Sequence, residues 1–303
     1  AALKENPTNG RLLQFLANLK LQNKDWAGAE SIAETLREKE DSSATASYIE
    51  GRVLQGQQKY ELAIEKYKAA LAVEPSMSNA LKGIAYSYFE LDRKDDLMVF
   101  LKELIKDDPK DLNAYTMLYE IQANDSHWDE AILTLQSGLK TEPKWQAGYL
   151  LLATTHQRQD KSQAAIAAYE SGLEALPESN AISLQLASAY ERKGDFEKAK
   201  SLYEQILERN PDVNVASNNL ASLLSDQFRS DANLRKALAI TEKFEKSSEP
   251  YFMDTYAWVN AQLGQLDKAQ MILERVIAKS PDVAVFNYHL GAVYHKKADK
   301  ASA

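Results

Sequence analysis

NAISLQLASAYERKGDFEKAKSLYEQILERNPDV, residues 180–213, is the stretch that decides the fold, because its spacing recurs along the chain of 303 residues. Its proline, Pro211, is the last of five prolines that stand 34 residues apart. The other four are Pro75, Pro109, Pro143 and Pro177. Self-similarity at a fixed period of this length indicates a repeat array, in which one supersecondary unit is stacked many times.

Each unit is predicted to be a pair of packed helices. When the proline is taken as position 32 of 34, small residues fall at positions 8 and 20 and large residues at positions 7, 11 and 24. In residues 180–213 these are Ala187, Ala199, Leu186, Tyr190 and Tyr203. Small residues let two helices approach closely, and large ones fill the space around that contact. The proline ends the second helix, since it cannot extend the hydrogen-bond ladder.

This pattern resembles the tetratricopeptide repeat family, which has a Leu-Gly pair, aromatic residues, an alanine and a proline at these offsets. The resemblance implies an all-α fold, a right-handed superhelical solenoid of helix-turn-helix repeats. We therefore predict a single array over residues 1–303. It consists of a partial repeat 1–9, full repeats 10–43, 44–77, 78–111, 112–145, 146–179, 180–213, 214–249 and 250–283, and a partial repeat 284–303.

Two repeats depart from the pattern. The first has Asp41 where the proline belongs, and the seventh holds extra residues, 227–232, between its helices. Such an insertion is either a tolerated surface loop or a place for contacts particular to this protein.

The two ends of the sequence lack parts of a repeat, which suggests a fragment of a longer protein. Residues 1–9 correspond to the end of a second helix, and residues 284–303 to a first helix without its partner. We expect exposed apolar side chains there, at Leu3 in front and at Val285, Leu290 and Val293 behind. Complementary surfaces of this kind would allow head-to-tail self-association.

Composition argues against several classes of function. The net charge is −8, so a surface for phosphate backbones is not indicated, and no apolar stretch is long enough to span a bilayer. The chain has no cysteine, and its four histidines lack the spacing of metal ligands. We predict that the protein is not an enzyme and uses no cofactor or metal.

The resemblance also implies where a partner binds, because positions 2, 5, 9 and 12 of the first helices line the concave groove of tetratricopeptide arrays. In repeats 2 to 4 these positions predict the partner-binding residues Tyr48, Arg52, Lys82, Tyr86, Phe89, Asn113, Thr116 and Glu120. Aromatic rings beside cationic and amide groups are typical of interface anchors. The alternative is that the aromatic rings fill space between neighbouring helices.

A second patch is expected in repeats 6 to 9. It contains Glu191, Asn218, Ser222, Asp254, Trp258 and Tyr288. Asn218 and Trp258 are predicted to contact the partner, with the Trp258 ring lying half on the groove, where such rings become hot spots. A core position for Trp258 is the alternative.

Residues 218–294 resemble one group within this family, namely the C-terminal repeats of long bacterial tetratricopeptide proteins linked to exopolysaccharide export and to PEP-CTERM sorting. They depart from those repeats in having Tyr256-Ala257 in place of Leu-Gly. The resemblance implies a periplasmic or outer-membrane-associated protein, with a cytoplasmic location as the alternative. We predict a non-catalytic scaffold that binds a protein or peptide segment in a bacterial envelope or exopolysaccharide assembly. The alternative function is a substrate-selecting arm of a larger enzyme, such as a glycosyltransferase.

Overall fold

A computed structural model describes residues 10–38 and 42–302, and for Arg11 and residues 299–302 it describes the backbone alone. All regular structure in these residues is helical. The α-helices are α1 (Gly10–Gln22), α2 (Trp26–Arg37), α3 (Ser43–Gly56), α4 (Tyr60–Val73), α5 (Ser78–Glu90), α6 (Lys94–Asp107), α7 (Leu112–Asn124), α8 (Trp128–Thr141), α9 (Gln146–Arg158), α10 (Ser162–Ala175), α11 (Asn180–Lys193), α12 (Phe196–Arg209), α13 (Asn214–Asp226), α14 (Asp231–Thr241), α15 (Pro250–Gln262), α16 (Leu266–Lys279) and α17 (Ala284–Ser302). The predicted all-α fold of helix pairs is confirmed.

The five prolines that stand 34 residues apart each follow the end of the second helix of their pair, as predicted. Helix α4 ends at Val73, two residues before Pro75, and α12 ends at Arg209, two residues before Pro211. The same offset separates the ends of α6, α8 and α10 from their prolines. The residue before a proline is pushed towards extended angles, which stops the helix at this point.

The turn inside seven of the eight described helix pairs has a left-handed residue, and the pair of α13 and α14 is the exception. Positive φ angles occur at Lys24, Gln58, Asp92, Ser126, Asp160, Gly194 and Gly264. The first six stand 34 residues apart, although only one of them is a glycine. The turn therefore keeps one backbone shape even where the side chain disfavours it.

The small and large positions of the repeat form the predicted contacts. Ala63, Ala165 and Ala199, all at position 20, are at most 1% exposed. At position 24, Tyr67 and Tyr203 are fully buried. At Gly51, which holds position 8, a Cβ atom would lie 2.6 Å from the ring of Tyr67, so the two helices approach too closely for a side chain there.

The chain forms two compact units, one ending at Gly148 and the other beginning at Tyr149. In the first unit, one apolar cluster centres on Tyr67 and Leu101 of α4 and α6. In the second unit, a cluster around Tyr256 and Phe286 joins α15 to α17. Each unit thus builds its core from contacts between neighbouring helices, as expected of repeats.

The loop of the seventh repeat is shorter than predicted. The loop between its helices covers residues 227–230, because Asp231 and Ala232 already belong to α14. Ser230 begins this helix early by accepting a hydrogen bond from the backbone N–H of Asn233 at 3.2 Å. A short 3-10 helix, Glu242–Phe244, follows α14, and Phe244 stacks on Phe252 at 4.7 Å.

The end predictions are met in part. Val285 is 41% exposed, as expected, but Val293 is fully buried and Leu290 is half-buried. The expectation for Val293 was wrong, because this side chain packs into the cluster of α15 to α17. Leu3 lies outside the described residues.

Candidate functional site

The exposed face of α5 is the clearest candidate for partner contact in the first unit. Tyr86 is 49% exposed and Phe89 is 51% exposed, and Lys82 is exposed as well. These residues lie four and three positions apart, so they share one side of the helix. Two accessible aromatic rings beside a cationic group therefore form a continuous surface.

On the neighbouring helix α3, Tyr48 and Arg52 combine packing with exposure. Tyr48 is half-buried, and its ring centroid lies 5.9 Å from that of Tyr67 in the core. The guanidinium of Arg52 lies 6.0 Å from the centre of the Tyr48 ring. Tyr48 is therefore partly a packing residue, and it also holds Arg52 in place.

On α7, the three predicted residues differ in how freely they can contact a partner. Asn113 and Glu120 are exposed. Thr116 is half-buried, and its hydroxyl donates to the carbonyl of Leu112 at 2.6 Å. The hydroxyl of Thr116 is thus committed to its own helix.

Tyr86 also belongs to a cluster that the repeat pattern does not reveal. The Tyr60 hydroxyl, at the start of α4, donates to Oε2 of Glu90 at 3.2 Å. The rings of Tyr60 and Tyr86 lie 6.3 Å apart and are tilted by 58°. Hydrogen bonding to Glu90 and the charge of its carboxylate raise the pKa of Tyr86. For Tyr60, partial burial raises the pKa first, and the bond to Glu90 adds to this.

In the second unit, Trp258 is more enclosed than the sequence suggested. Only 7% of the residue is exposed. Its indole N–H donates to Oδ1 of Asp226 at 2.9 Å, and its ring stacks on His289 at 4.2 Å. The ammonium of Lys296 lies 5.6 Å from the ring centre. The ring therefore packs between helices, with its polar edge directed at Asp226.

His289 is held by a buried carboxylate. Its Nδ1 lies 3.0 and 2.9 Å from the two carboxylate oxygens of Asp254. Burial raises the pKa of Asp254, and the interaction with His289 acts in the opposite direction. This pair connects α15 to α17 beneath the exposed ring of Tyr288, which is 67% accessible.

The remaining residues of the second patch are engaged with neighbours. Glu191 accepts a hydrogen bond from the hydroxyl of Tyr203 at 2.5 Å. Asn218 is half-buried, and its amide donates to Asn219 at 3.2 Å. Ser222 donates to Asp226 at 3.4 Å. Of this patch, Tyr288 is the most exposed residue.

Two further features bear on the kind of site. Within residues 10–38 and 42–302, no group of three or more acidic or histidine side chains is arranged to hold a metal ion. None of the helices in that part of the chain combines the length and apolar character needed to cross a bilayer.

Comparison with known proteins gives matches to one kind of repeat. Models of the tetratricopeptide repeat match residues 50–111, 157–226 and 253–282, together more than half of the chain. Among solved structures, yeast Tom70 is similar over 91% of this chain, with 16% identity and a TM-score of 0.51. A tetratricopeptide repeat protein from Parabacteroides merdae is similar over 83% of this chain and 99% of its own, with 13% identity and a TM-score of 0.44. No curated protein matches the sequence.

The likeness to Tom70 concerns the fold. This chain spans 59% of the Tom70 chain, and the identity is low. The shared feature is an all-helical solenoid of repeats, which agrees with the helix pairs described above.

Proposed function

Because this chain is a tetratricopeptide repeat protein, we propose that it is a non-catalytic scaffold that binds a protein segment along the first helices of its repeats. Repeats of this family are generally interaction modules. The groove formed by positions 2, 5, 9 and 12 is the proposed place of binding, with residues 44–145 as its centre.

The observation that carries this proposal is the exposed pair of Tyr86 and Phe89 on α5. About half of the surface of each residue is accessible, although large aromatic side chains are mostly buried in folded proteins. Aromatic residues at the centre of an interface supply much of the binding energy, because they bury large areas with little loss of conformational freedom. Their exposure therefore supports a role in partner contact.

The basic residues beside this pair indicate part of the partner's chemistry. Lys82 is exposed one turn before Tyr86, and Arg52 lies on the neighbouring helix α3. An acidic side chain or a terminal carboxylate of the segment would be attracted to these two groups. This supports a segment that carries negative charge at one end.

We further propose that the assembly belongs to a bacterial envelope or exopolysaccharide system, with the protein periplasmic or associated with the outer membrane. The resemblance of residues 218–294 to proteins of those systems supports this. Fractionation of cells that express the natural full-length protein tests the location. Recovery in the cytoplasmic fraction would contradict it.

Partner binding is tested by photo-crosslinking and then by affinity. A photoreactive amino acid replaces Phe89, and a matched control places it at Leu133 of α8, which is 62% exposed. We expect position 89 to give a crosslinked partner that position 133 does not. With that partner purified, Tyr86→Ala and Phe89→Ala should each weaken binding about fivefold or more, and Leu133→Ala should not. Equal effects at the three positions would contradict the proposed groove.

A further inference from the structure

Eight aromatic rings in the described residues are covered by a cation from the same chain. In the described residues, eight lysine or arginine groups make nine contacts within 6.0 Å of a ring centre. The shortest of these distances, between Lys68 and Phe100, is 4.4 Å. Such contacts are favourable because the face of the ring is electronegative.

The rings of Tyr60 and Tyr86 are not among those with such a contact. Among residues 10–38 and 42–302, no lysine or arginine lies over either ring. The carboxylate of Glu90 accepts from Tyr60, and within the same residues it forms no ion pair. Two ring faces and one unneutralised carboxylate thus meet at an accessible position, with Tyr86 49% exposed.

The basic residues next to this pair in the sequence do not cover its rings. Lys59, next to Tyr60, donates to the side chain of Gln57 at 2.7 Å. Lys82 stands one turn before Tyr86, but among the described residues it makes no cation contact with an aromatic ring. The charge at the two rings is therefore negative, which favours a positive group supplied from outside.

We propose that Tyr60, Tyr86 and Glu90 recognise one lysine or arginine side chain of the partner segment. The cation lies against the two tyrosine rings, and Glu90 provides the opposite charge. This inference rests on the proposed function, since it assigns chemistry to the same surface. The segment then carries a basic residue here and acidic groups towards Lys82 and Arg52.

The proposal is tested with small probes, so that no partner is needed. The probes are the N-acetyl methylamides of lysine and arginine, with the norleucine compound as the uncharged control. Binding is followed by the NMR signals of tyrosine rings labelled with ¹³C, assigned through Tyr60→Phe and Tyr86→Phe. We expect saturable shifts of Tyr60 and Tyr86 with a basic probe and none with norleucine.

The chain contains its own control for a tyrosine hydrogen-bonded to a carboxylate. The Tyr294 hydroxyl donates to Glu274 at 2.9 Å, and Tyr294 is 46% exposed. In the described residues it has no contact with a second aromatic ring. The signal of Tyr294 should therefore shift at least threefold less than that of Tyr86 at the same probe concentration.

Glu90→Gln decides whether the carboxylate takes part. It keeps the size of the side chain and removes the charge, so the affinity for the lysine probe should fall about three- to fivefold. Unchanged affinity, equal shifts with norleucine, or equal shifts at Tyr294 would overturn the proposal. Binding of tetramethylammonium more than tenfold tighter than lysine would also overturn it, in favour of a quaternary ammonium ligand.

These outcomes are separate from those of the proposed function. If no basic probe binds but Phe89→Ala weakens the crosslinked partner, the groove stands and the cation site is wrong. If the lysine probe binds but the groove variants leave the partner unaffected, the cation site stands without the proposed groove.

Discussion

Nδ1 of His289 lies within 3.0 Å of both carboxylate oxygens of Asp254, and this buried pair links α17 to α15. The His289 ring also stacks on Trp258, whose indole N–H is bound to Asp226. Helix α17 is thus held by a buried polar contact in addition to its apolar side chains.

We expect His289→Ala to destabilise the second unit by about 3 kcal/mol. The substitution leaves the carboxylate of Asp254 buried without its partner, and breaking a buried pair in this way is costly. Urea unfolding measures the loss. The double variant Asp254→Ala/His289→Ala should lose less than the sum of the two single variants, and strictly additive losses would show that the pair is not coupled.

A second prediction concerns pH and the contact between positions 12 and 24. The Tyr203 hydroxyl donates to Glu191, and in the second repeat the Tyr67 hydroxyl donates to Gln55 at the same positions. Burial raises the pKa of Glu191 above its ordinary 4.5, and the bond from Tyr203 lowers it less. The folded state therefore holds the proton more tightly than the unfolded state does.

From this it follows that the contribution of Glu191 to stability is greatest below pH 4.5 and is lost as the pH rises through the folded pKa. Glu191→Gln removes this loss, so the variant should gain stability relative to the wild type between pH 4 and pH 7. Gln55→Glu should have the opposite effect in the second repeat. The same change in the free energy of unfolding between pH 4 and pH 7 for the wild type and both variants would contradict the prediction.

The steric pattern explains why the helix pairs could be predicted from the sequence. Alanine at position 20, as in Ala199, and tyrosine at position 24, as in Tyr203, are explained by close packing within one unit. The contacts of the candidate site are different, because they join neighbouring repeats. Tyr60 meets Glu90 across 30 residues, and Asp254 meets His289 across 35. A repeat pattern fixes which face is buried, but it does not give the distance between side chains of neighbouring repeats.

The turns show the same limit on a smaller scale. Lys24 and Gln58 have no local signal for a positive φ, yet both adopt it. The packing of the two flanking helices imposes the positive φ. Only a glycine at these positions would have made it predictable from the sequence. Glycine at Gly194 and Gly264 therefore indicates a positive φ from the sequence, whereas the lysine and the glutamine do not.

The turn geometry gives a third prediction. Gln58 has a φ of 62°, which is unfavourable for a residue with a Cβ atom, so Gln58→Gly should stabilise the first unit by about 0.5 kcal/mol. Gly194→Ala should destabilise the second unit by about 1 kcal/mol, and no atom lies within 4 Å of the added Cβ to cause a clash. Thermal and urea unfolding measure both changes, and effects of the reverse sign would refute the conformational cause.

The fourth prediction tests the register at position 20. Ala199 is fully buried, so Ala199→Leu should overpack the contact between α11 and α12 and cost about 1 to 3 kcal/mol. Ser201→Leu adds the same side chain at an exposed position of α12 and serves as the control. A denaturation midpoint for Ala199→Leu equal to that of the control would show that this contact is not tight.

The last prediction concerns self-association, which the sequence suggested and the exposure of α1 supports. Phe15 and Leu19 of α1 are 63% and 39% exposed, whereas Ile49 and Val53, one period later in α3, are at most 1% exposed. The helix face that is buried on α3 in the second repeat is thus exposed on α1 in the first repeat. We expect light scattering to show association that increases with concentration.

Phe15→Glu should weaken this association, because it places a charge in the apolar contact. Leu133→Glu is the matched control, since Leu133 is equally exposed but belongs to α8, three repeats later in the chain. Equal weakening by both variants would indicate a general effect of charge. A monomer at every concentration tested would remove self-association and leave partner binding as the use of the exposed helices.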